Sequence, residues 1–228
     1  MAQQLLQRYG VVTRESVAQE DLPGGFSAIY TVMKTLEESG RIRRGYFAAG
    51  AGATQFALPA AVDLLRLLGS KAEPERPEIV SIAATDPANP YGSILPWPQF
   101  VSGEQNSSEP LPRSLARTVG ASVILRNGRL IAYLRRGNPD LQVFFSVGEP
   151  DRSNTARDLA ACLAAQVHSE LRDEEARRHG GLLISSINGQ SIHQHWFARF
   201  LADAGFSPAP KGYHMRRAMS APAPRDAE

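Results

Sequence analysis

Hydrophobic positions along the chain follow a helical period at first and a strand-like period later, and the change of register divides it. Leu5 and Leu6 face one way in a first helix over Ala2 to Tyr9, which Gly10 closes. Thr13 is placed to cap a second, short helix from Arg14 to Gln19. Leu22-Pro23-Gly24-Gly25 then reads as a turn, because proline stops a helix and glycine accepts positive φ. From Phe26 to Ser39, Ile29, Val32, Met33 and Leu36 recur at spacings of three and four, which predicts a longer helix with that stripe inward. Ser27, Tyr30, Thr31, Lys34 and Glu38 fall on its opposite face, and Gly40 ends it. Two short alternating runs, Arg41 to Phe47 and Gln55 to Leu58, flank a Gly/Ala-rich tip and predict a hairpin. Pro59 opens a further helix to Leu68 with Val62, Leu65 and Leu68 on one side. Helix, tight turn, longer helix and hairpin, in that order, make the winged form of helix-turn-helix. Such a unit commonly lays its second helix along a nucleic-acid groove, although it also serves as a protein-contact module.

Beyond a polar, proline-containing linker at 70–78 the pattern changes. Ile79 to Ala84 reads as a strand, Asp86 to Pro98 as an extended loop stiffened by four prolines, and Ser102 to Pro112 as a polar segment. Val119 to Arg126 and Arg129 to Arg136 flank Asn127-Gly128, a strong two-residue hairpin signal, and Leu141 to Val147 adds a third strand. Ser153 to Leu171 is the clearest helix. Its inward stripe is Ala156, Leu159, Leu163, Val167 and Leu171, with a cap from Ser153 or Thr155. Leu182 to Ile187 reads as a strand ending at Asn188-Gly189. Ser191 to Ala204 follows as a helix with Trp196, Phe200 and Leu201 inward, and Tyr213 to Met215 as a last strand. The expected fold is therefore α/β of the α+β kind. A winged-helix domain (1–69) and linker precede a mixed domain (79–217) with a largely antiparallel sheet and two helices, and then a flexible tail (218–228).

Composition narrows the functional classes. A hydrophobic share of 43% suits an ordinary globular core, and a formal net charge of +2 supplies no global field for DNA or anionic lipid, so any basic surface is local. The single cysteine, Cys162, forms no internal disulfide and reads as a buried, inert thiol, in keeping with a reducing cytoplasm. The N-terminus lacks the pattern of a signal peptide, and no run approaches the roughly 20 apolar residues of a membrane span.

Arg41, Arg43 and Arg44 leave the second helix and enter the hairpin, where guanidinium groups meet phosphates with bidentate geometry. Ser27, Thr31 and Lys34 face out beside them, and Tyr30 and Tyr46 are candidates to stack on a base or pack on a sugar. Read plainly, three arginines after a helix C-terminus favour its dipole and stay solvated, and Glu37 and Glu38 dilute their field. The helix start offers no Asn, Gln or Arg for reading base edges. His193 and His195, with His214 or His179, invite a metal reading. A spacing of two separates them on a helix, and no Cys or acidic pattern completes a set, so helix-surface histidines are expected and no metal. No P-loop and no GxSxG element occurs, and Gly50-Ala51-Gly52 lacks the rest of a nucleotide fingerprint. Trp97, between two prolines, reads as packing for its loop and less well as a base-stacking wedge. Arg135, Arg136, Arg177, Arg178, Lys211, Arg216 and Arg217 form either a basic track or scattered solvated charge.

RYGVVTRESV, PGGFSAIYTVMKTLEESGRIRRGYF, QFALPAAVDLLR and ATDPANPYGSILPWP resemble, in order, the far C-terminal end of Lhr, the large helicase-related family of superfamily-2 helicases. Later blocks, ASVILRNGRLIAYLRR, SINGQ and AGFSPAPKGYHMR, extend the likeness more thinly. The resemblance implies one end of a long ATP-dependent DNA helicase implicated in repair, with ATP and Mg held by motor domains that are absent here and no cofactor in this part. Implied partners are DNA, single-stranded or forked, the preceding domains of the same helicase, and further copies of itself. The implied location is cytoplasmic, on the nucleoid. The family also resembles winged-helix DNA glycosylases whose companion domain is barrel-like. Their glutamine-apolar-glutamine motif has no counterpart in Gln190 and Gln194. Excision of uracil or a damaged base would need a carboxylate, and Asp86, Asp140 and Asp226 are the loop and tail candidates.

Overall fold

The computed structural model describes residues 1–70, 74, 76–98, 115–169 and 181–215. Expectations for Ser102 to Pro112, Leu171, Arg177, Arg178, His179, Arg216, Arg217, Asp226 and the tail lie outside these residues. The chain forms two compact units. One is Met1–Pro77 with Pro87–Pro98, and the other is Glu78–Asp86 with the described residues that follow. The proline-rich loop, expected in the second domain, thus belongs with the first.

In the first unit α1 (Ala2–Tyr9), β1 (Val11–Val12), α2 (Arg14–Ala18), α3 (Gly25–Glu38), β2 (Arg43–Gly45), β3 (Gln55–Ala57) and α4 (Pro59–Ser70) succeed one another. The strands pair antiparallel in the order β1-β3-β2. Thr13 caps α2 as expected: its Oγ1 accepts the Ser16 N–H at 3.2 Å, and Ser16 Oγ accepts the Thr13 N–H at 2.9 Å. Gly24 enters α3 at φ 77°, and a Cβ there would lie 2.9 Å from the Ala28 Cβ, so the turn requires glycine. Leu5, Leu6, Val12, Val17, Phe26, Ile29, Met33, Ile42 and Phe56 make the core. Two side chains of α3 depart from expectation. Val32 is 49% exposed, whereas Tyr30 is half-buried with its ring edge-on to Phe56 at 5.9 Å. The helix meets β3 along Phe26, Ile29, Tyr30 and Met33, an i, i+3, i+4, i+7 stripe that turns Val32 about 100° away. In α4 only Val62 is buried; Leu65 and Leu68, expected inward, are exposed because no described apolar surface covers the helix past its first turn.

The second unit runs β4 (Ile79–Ala83), β5 (Ala121–Arg126), β6 (Arg129–Arg135), β7 (Asp140–Val143), α5 (Asp151–Ser169), β8 (Leu182–Ile184), β9 (Ser186–Ile187), β10 (Gln190–Ser191), a single 3-10 turn (Ile192–Gln194), α6 (Ala198–Asp203), β11 (Ser207–Ala209) and β12 (Gly212–Met215). Six strands pair in the order β10-β9-β7-β6-β5-β4, antiparallel except for β7 with β9, and β11-β12-β8 form a second sheet. Both orders are open, so the described strands do not close the barrel-like sheet that the resemblance implied. The two Asn-Gly hairpins are present, with Asn127 at φ 49° and Gly128 at 77°, and Asn188 at 50° and Gly189 at 83°.

Three elements of this unit differ from the periodicity reading. The run from Leu182 to Ile187 breaks at Ser185 and serves both sheets, the Ser185 N–H going to the Pro139 carbonyl at 2.8 Å. The β7 strand ends at Val143, where the Asn188 side chain takes over the ladder by accepting the Val143 N–H and donating to its carbonyl. The helix expected over Ser191 to Ala204 begins only at Ala198. Buried His195 uses its Nδ1 to accept the Phe197 N–H at 3.1 Å, a donor that a continuous helix would give to the His193 carbonyl. His195 is thus a core residue and not a helix-surface one. The α5 helix starts at Asp151, before the expected Ser153, with Glu149 accepting the Ser153 N–H and hydroxyl. Its Leu159, Leu163 and Val167 pack on Ile131, Val143, Ile187 and Leu201. Half-buried Trp196 lies between Phe145 at 5.1 Å and the Arg152 guanidinium, 4.1 Å from its ring centre. Among the described residues no helix is long and apolar enough to cross a membrane.

Candidate nucleic-acid interface

The outward face of α3 presents Ser27, Thr31 and Lys34, all exposed as the period requires. Gly40 at φ 72° reverses the chain after α3, and the Arg41 N–H returns to the Leu36 carbonyl at 2.9 Å. That reversal aims the chain into β2 and puts Arg41, Arg43 and Arg44 on the surface at the root of the wing. Arg44 Nε lies 3.2 Å from Glu37 Oε1, Arg43 lies 4.0 Å from Asp63, and Lys34 lies 3.7 Å from Glu38. Among the described residues Arg41 makes no ion pair. Both wing guanidiniums in pairs stay 49% exposed, and ion pairs in water are worth only about 0–1 kcal/mol, so a phosphate can displace either carboxylate.

Past this basic root the wing is uncharged. Tyr46 is 67% exposed, while Ala48 to Thr54 is built of alanine, glycine and one threonine. The loop is nevertheless fixed. Gln55, fully buried, accepts the Phe47 and Ala48 N–H groups on Oε1 at 2.8 and 2.9 Å. Its Nε2 donates to the Ala48 and Gly52 carbonyls at 2.8 and 2.9 Å, with Ala51 O at 3.4 Å. On the other side of Tyr46 the Phe47 ring lies over Gly45, where a Cβ would meet it at 2.9 Å. The loop glycines Gly50 (φ 79°) and Gly52 (φ 71°) serve its turns. Sequence reading passed over Gln55. Strand alternation places it opposite Phe56, towards solvent, whereas all three residues of β3 are buried. A glutamine beside a Gly/Ala-rich tip was the available signal.

The remaining candidates are dispersed. Tyr30 belongs to the core edge, away from the exposed face that holds Ser27 and Thr31. Asp86 sits in the turn after β4, half-buried, its N–H on the Ala83 carbonyl. Asp140 opens β7, and its Oδ1 accepts the Ser186 hydroxyl at 2.6 Å and the Gly189 N–H at 3.1 Å, which ties β7 to the β9–β10 turn. Trp97 folds over Gly92, where a Cβ would fall 2.5 Å from its ring, so it packs its own loop. Arg135 is half-buried, and Arg136 and Lys211 are exposed. Cys162 is half-buried, and desolvation pushes its thiol pKa up against a weaker opposing bond from Gln166.

Residues 1–77 match the family described as the winged-helix domain of large helicase-related protein. Over 224 residues, 94% of the chain, the sequence is 37% identical to the Lhr helicase/probable uracil glycosylase of Mycolicibacterium smegmatis. Over 213 residues, 93% of the chain, it is 33% identical to the Lhr helicase/uracil glycosylase of Escherichia coli. The chain spans 14% and 12% of the length of these relatives and matches their C-terminal region.

Proposed function

Since the chain belongs to the large helicase-related (Lhr) family, we propose that it is a DNA-binding accessory region of a large ATP-dependent helicase that works in DNA repair. Its partners on this reading are single-stranded or forked DNA and the other domains of the same helicase. One observation carries it: Arg41, Arg43 and Arg44 stand exposed at the root of the wing, beside Lys34 and Thr31 on α3. Contacts of this kind go to the phosphate backbone and fix orientation without reading sequence. On this reading ATP and Mg belong to the motor domains of the helicase. The test is a salt series of DNA affinity for the full chain and for Arg43→Ala with Arg44→Ala. Loss of two phosphate contacts lowers affinity and reduces the slope of log K against log salt by about one to two. An unaltered slope removes the wing root from the interface.

A second reading, excision of uracil or a damaged base, draws support from the names of both relatives. Excision requires a flipped base and a carboxylate that activates water or steadies the sugar cation. Asp86, Asp140 and Asp226 are the candidates, of which Asp140 already holds a turn through its Oδ1. Incubation with uracil-containing single strands followed by alkali separates the two readings. Strand breaks support excision, and intact strands bound by the protein leave the accessory role alone.

A further inference from the structure

Charge on the wing is distributed unevenly: it sits at the root, and the tip carries none. From Ala48 to Thr54 no side chain is basic, so the tip itself has no electrostatic hold on phosphate. Just before it stands Tyr46, 67% exposed between two anchored neighbours. On one side Phe47 folds over Gly45, and on the other the Gln55 amide bonds the Phe47 and Ala48 N–H groups and closes on Ala48 and Gly52. A buried amide that spends both its acceptor and its donors on one loop leaves that loop little freedom, since breaking any bond strands a polar group.

We infer that Gln55 is a positioning residue that holds the wing rigid so that Tyr46 stands as a stacking probe for an unpaired base. This rests on the DNA-binding reading above and adds to it the feature of DNA the wing selects. An aromatic ring gains from a base only through the π-face, which a continuous duplex buries between its neighbours and an unpaired strand offers. Preorganisation matters because a ring on a mobile loop loses much of that gain in being ordered. Arg43 and Arg44 then hold the backbone behind the stacked base, and this contribution is common to paired and unpaired strands.

Anisotropy titrations of the full chain against a labelled single strand and a blunt duplex test this, with a 2-aminopurine strand reporting stacking. Tyr46→Ala, at an exposed position that leaves the core untouched, is expected to weaken single-strand binding about tenfold and lose the 2-aminopurine quench, with duplex affinity within about twofold. Gln55→Met keeps the volume and deletes the bonds. It is expected to give the same selective loss, an unchanged salt slope, and faster hydrogen exchange at Phe47 and Ala48. Gln55→Glu retains the acceptor but sets a second oxygen against the Ala48 and Gly52 carbonyls in a buried site, and is expected to lose at least as much single-strand affinity. Equal losses on single strand and duplex in Gln55→Met make Gln55 a general fold residue and overturn the inference, as does full single-strand affinity in Tyr46→Ala. If Arg43→Ala with Arg44→Ala leaves the salt slope unaltered, the wing root is not in the interface, and the reading this inference rests on fails there.

Discussion

Asp151 sits where four donors converge: Ser146 Oγ at 2.6 Å, Arg129 at 3.0 Å, Arg126 at 3.1 Å and Thr155 Oγ1 at 3.4 Å. The serine bond first, then the Arg129 bond, hold its carboxyl below the ordinary range. A depressed folded pKa contributes stability above the unfolded value and loses it as pH falls through the folded one. The window therefore opens near pH 4, about the unfolded aspartate value, and extends below it. Asp151→Asn is expected to flatten the acid limb of a stability-against-pH curve measured by thermal melts. A limb as steep as before would assign the acid sensitivity elsewhere. Gln55 has a different cost, because Gln55→Met leaves the Phe47 and Ala48 N–H groups without partners. Urea unfolding should show a loss of about 1–3 kcal/mol. Polar residues with defined single-residue roles were only partly readable in advance. The Thr13 cap and the His195 bond to the Phe197 N–H are local, whereas Gln55 and Asp140 bond groups whose position depends on chain reversal.

At the scale of elements, α5 and α4 show opposite uses of an apolar stripe. Leu163 is fully buried between α5 and the six-stranded sheet, and Leu163→Ala is expected to cost about 3 kcal/mol in denaturant unfolding. In α4, Val62→Ala costs about 2 kcal/mol by the same reasoning, since Val62 is the one buried residue of that helix. Leu65→Lys and Leu68→Lys are expected to lie within about 0.5 kcal/mol of neutral, because both side chains are already solvated. A large destabilisation by either would reveal an apolar partner for α4. Elements with strong local signals fell where the pattern put them, including α1 to α3 and the Asn-Gly hairpins. The Ser191 to Ala204 helix and the Leu182 to Ile187 strand did not, because the His195 side chain takes the Phe197 N–H two residues on and the Ser185 N–H bonds across elements to Pro139.

Among the described residues each unit has its own apolar core, one among α1 to α3 and β3, the other between α5, α6 and the sheets of the second unit. Among the described residues Met33 and Leu163 belong to different cores, so Met33→Ala and Leu163→Ala should add to within about 0.5 kcal/mol. A larger mismatch in a double-mutant cycle would mean that the cores are coupled. By itself the sequence determined the winged unit, the antiparallel character of the later sheet, and the basic stretch at Arg41 to Arg44. Periodicity, caps and turn residues act within a few positions of each other, and that range is visible in a string of letters. Only the tertiary structure decided that Tyr30 turns inward, that the six strands stay open, that Pro87–Pro98 joins the first unit, and that Gln55 braces the wing. Each of these depends on a partner brought close by folding, and no local period records which partner that will be.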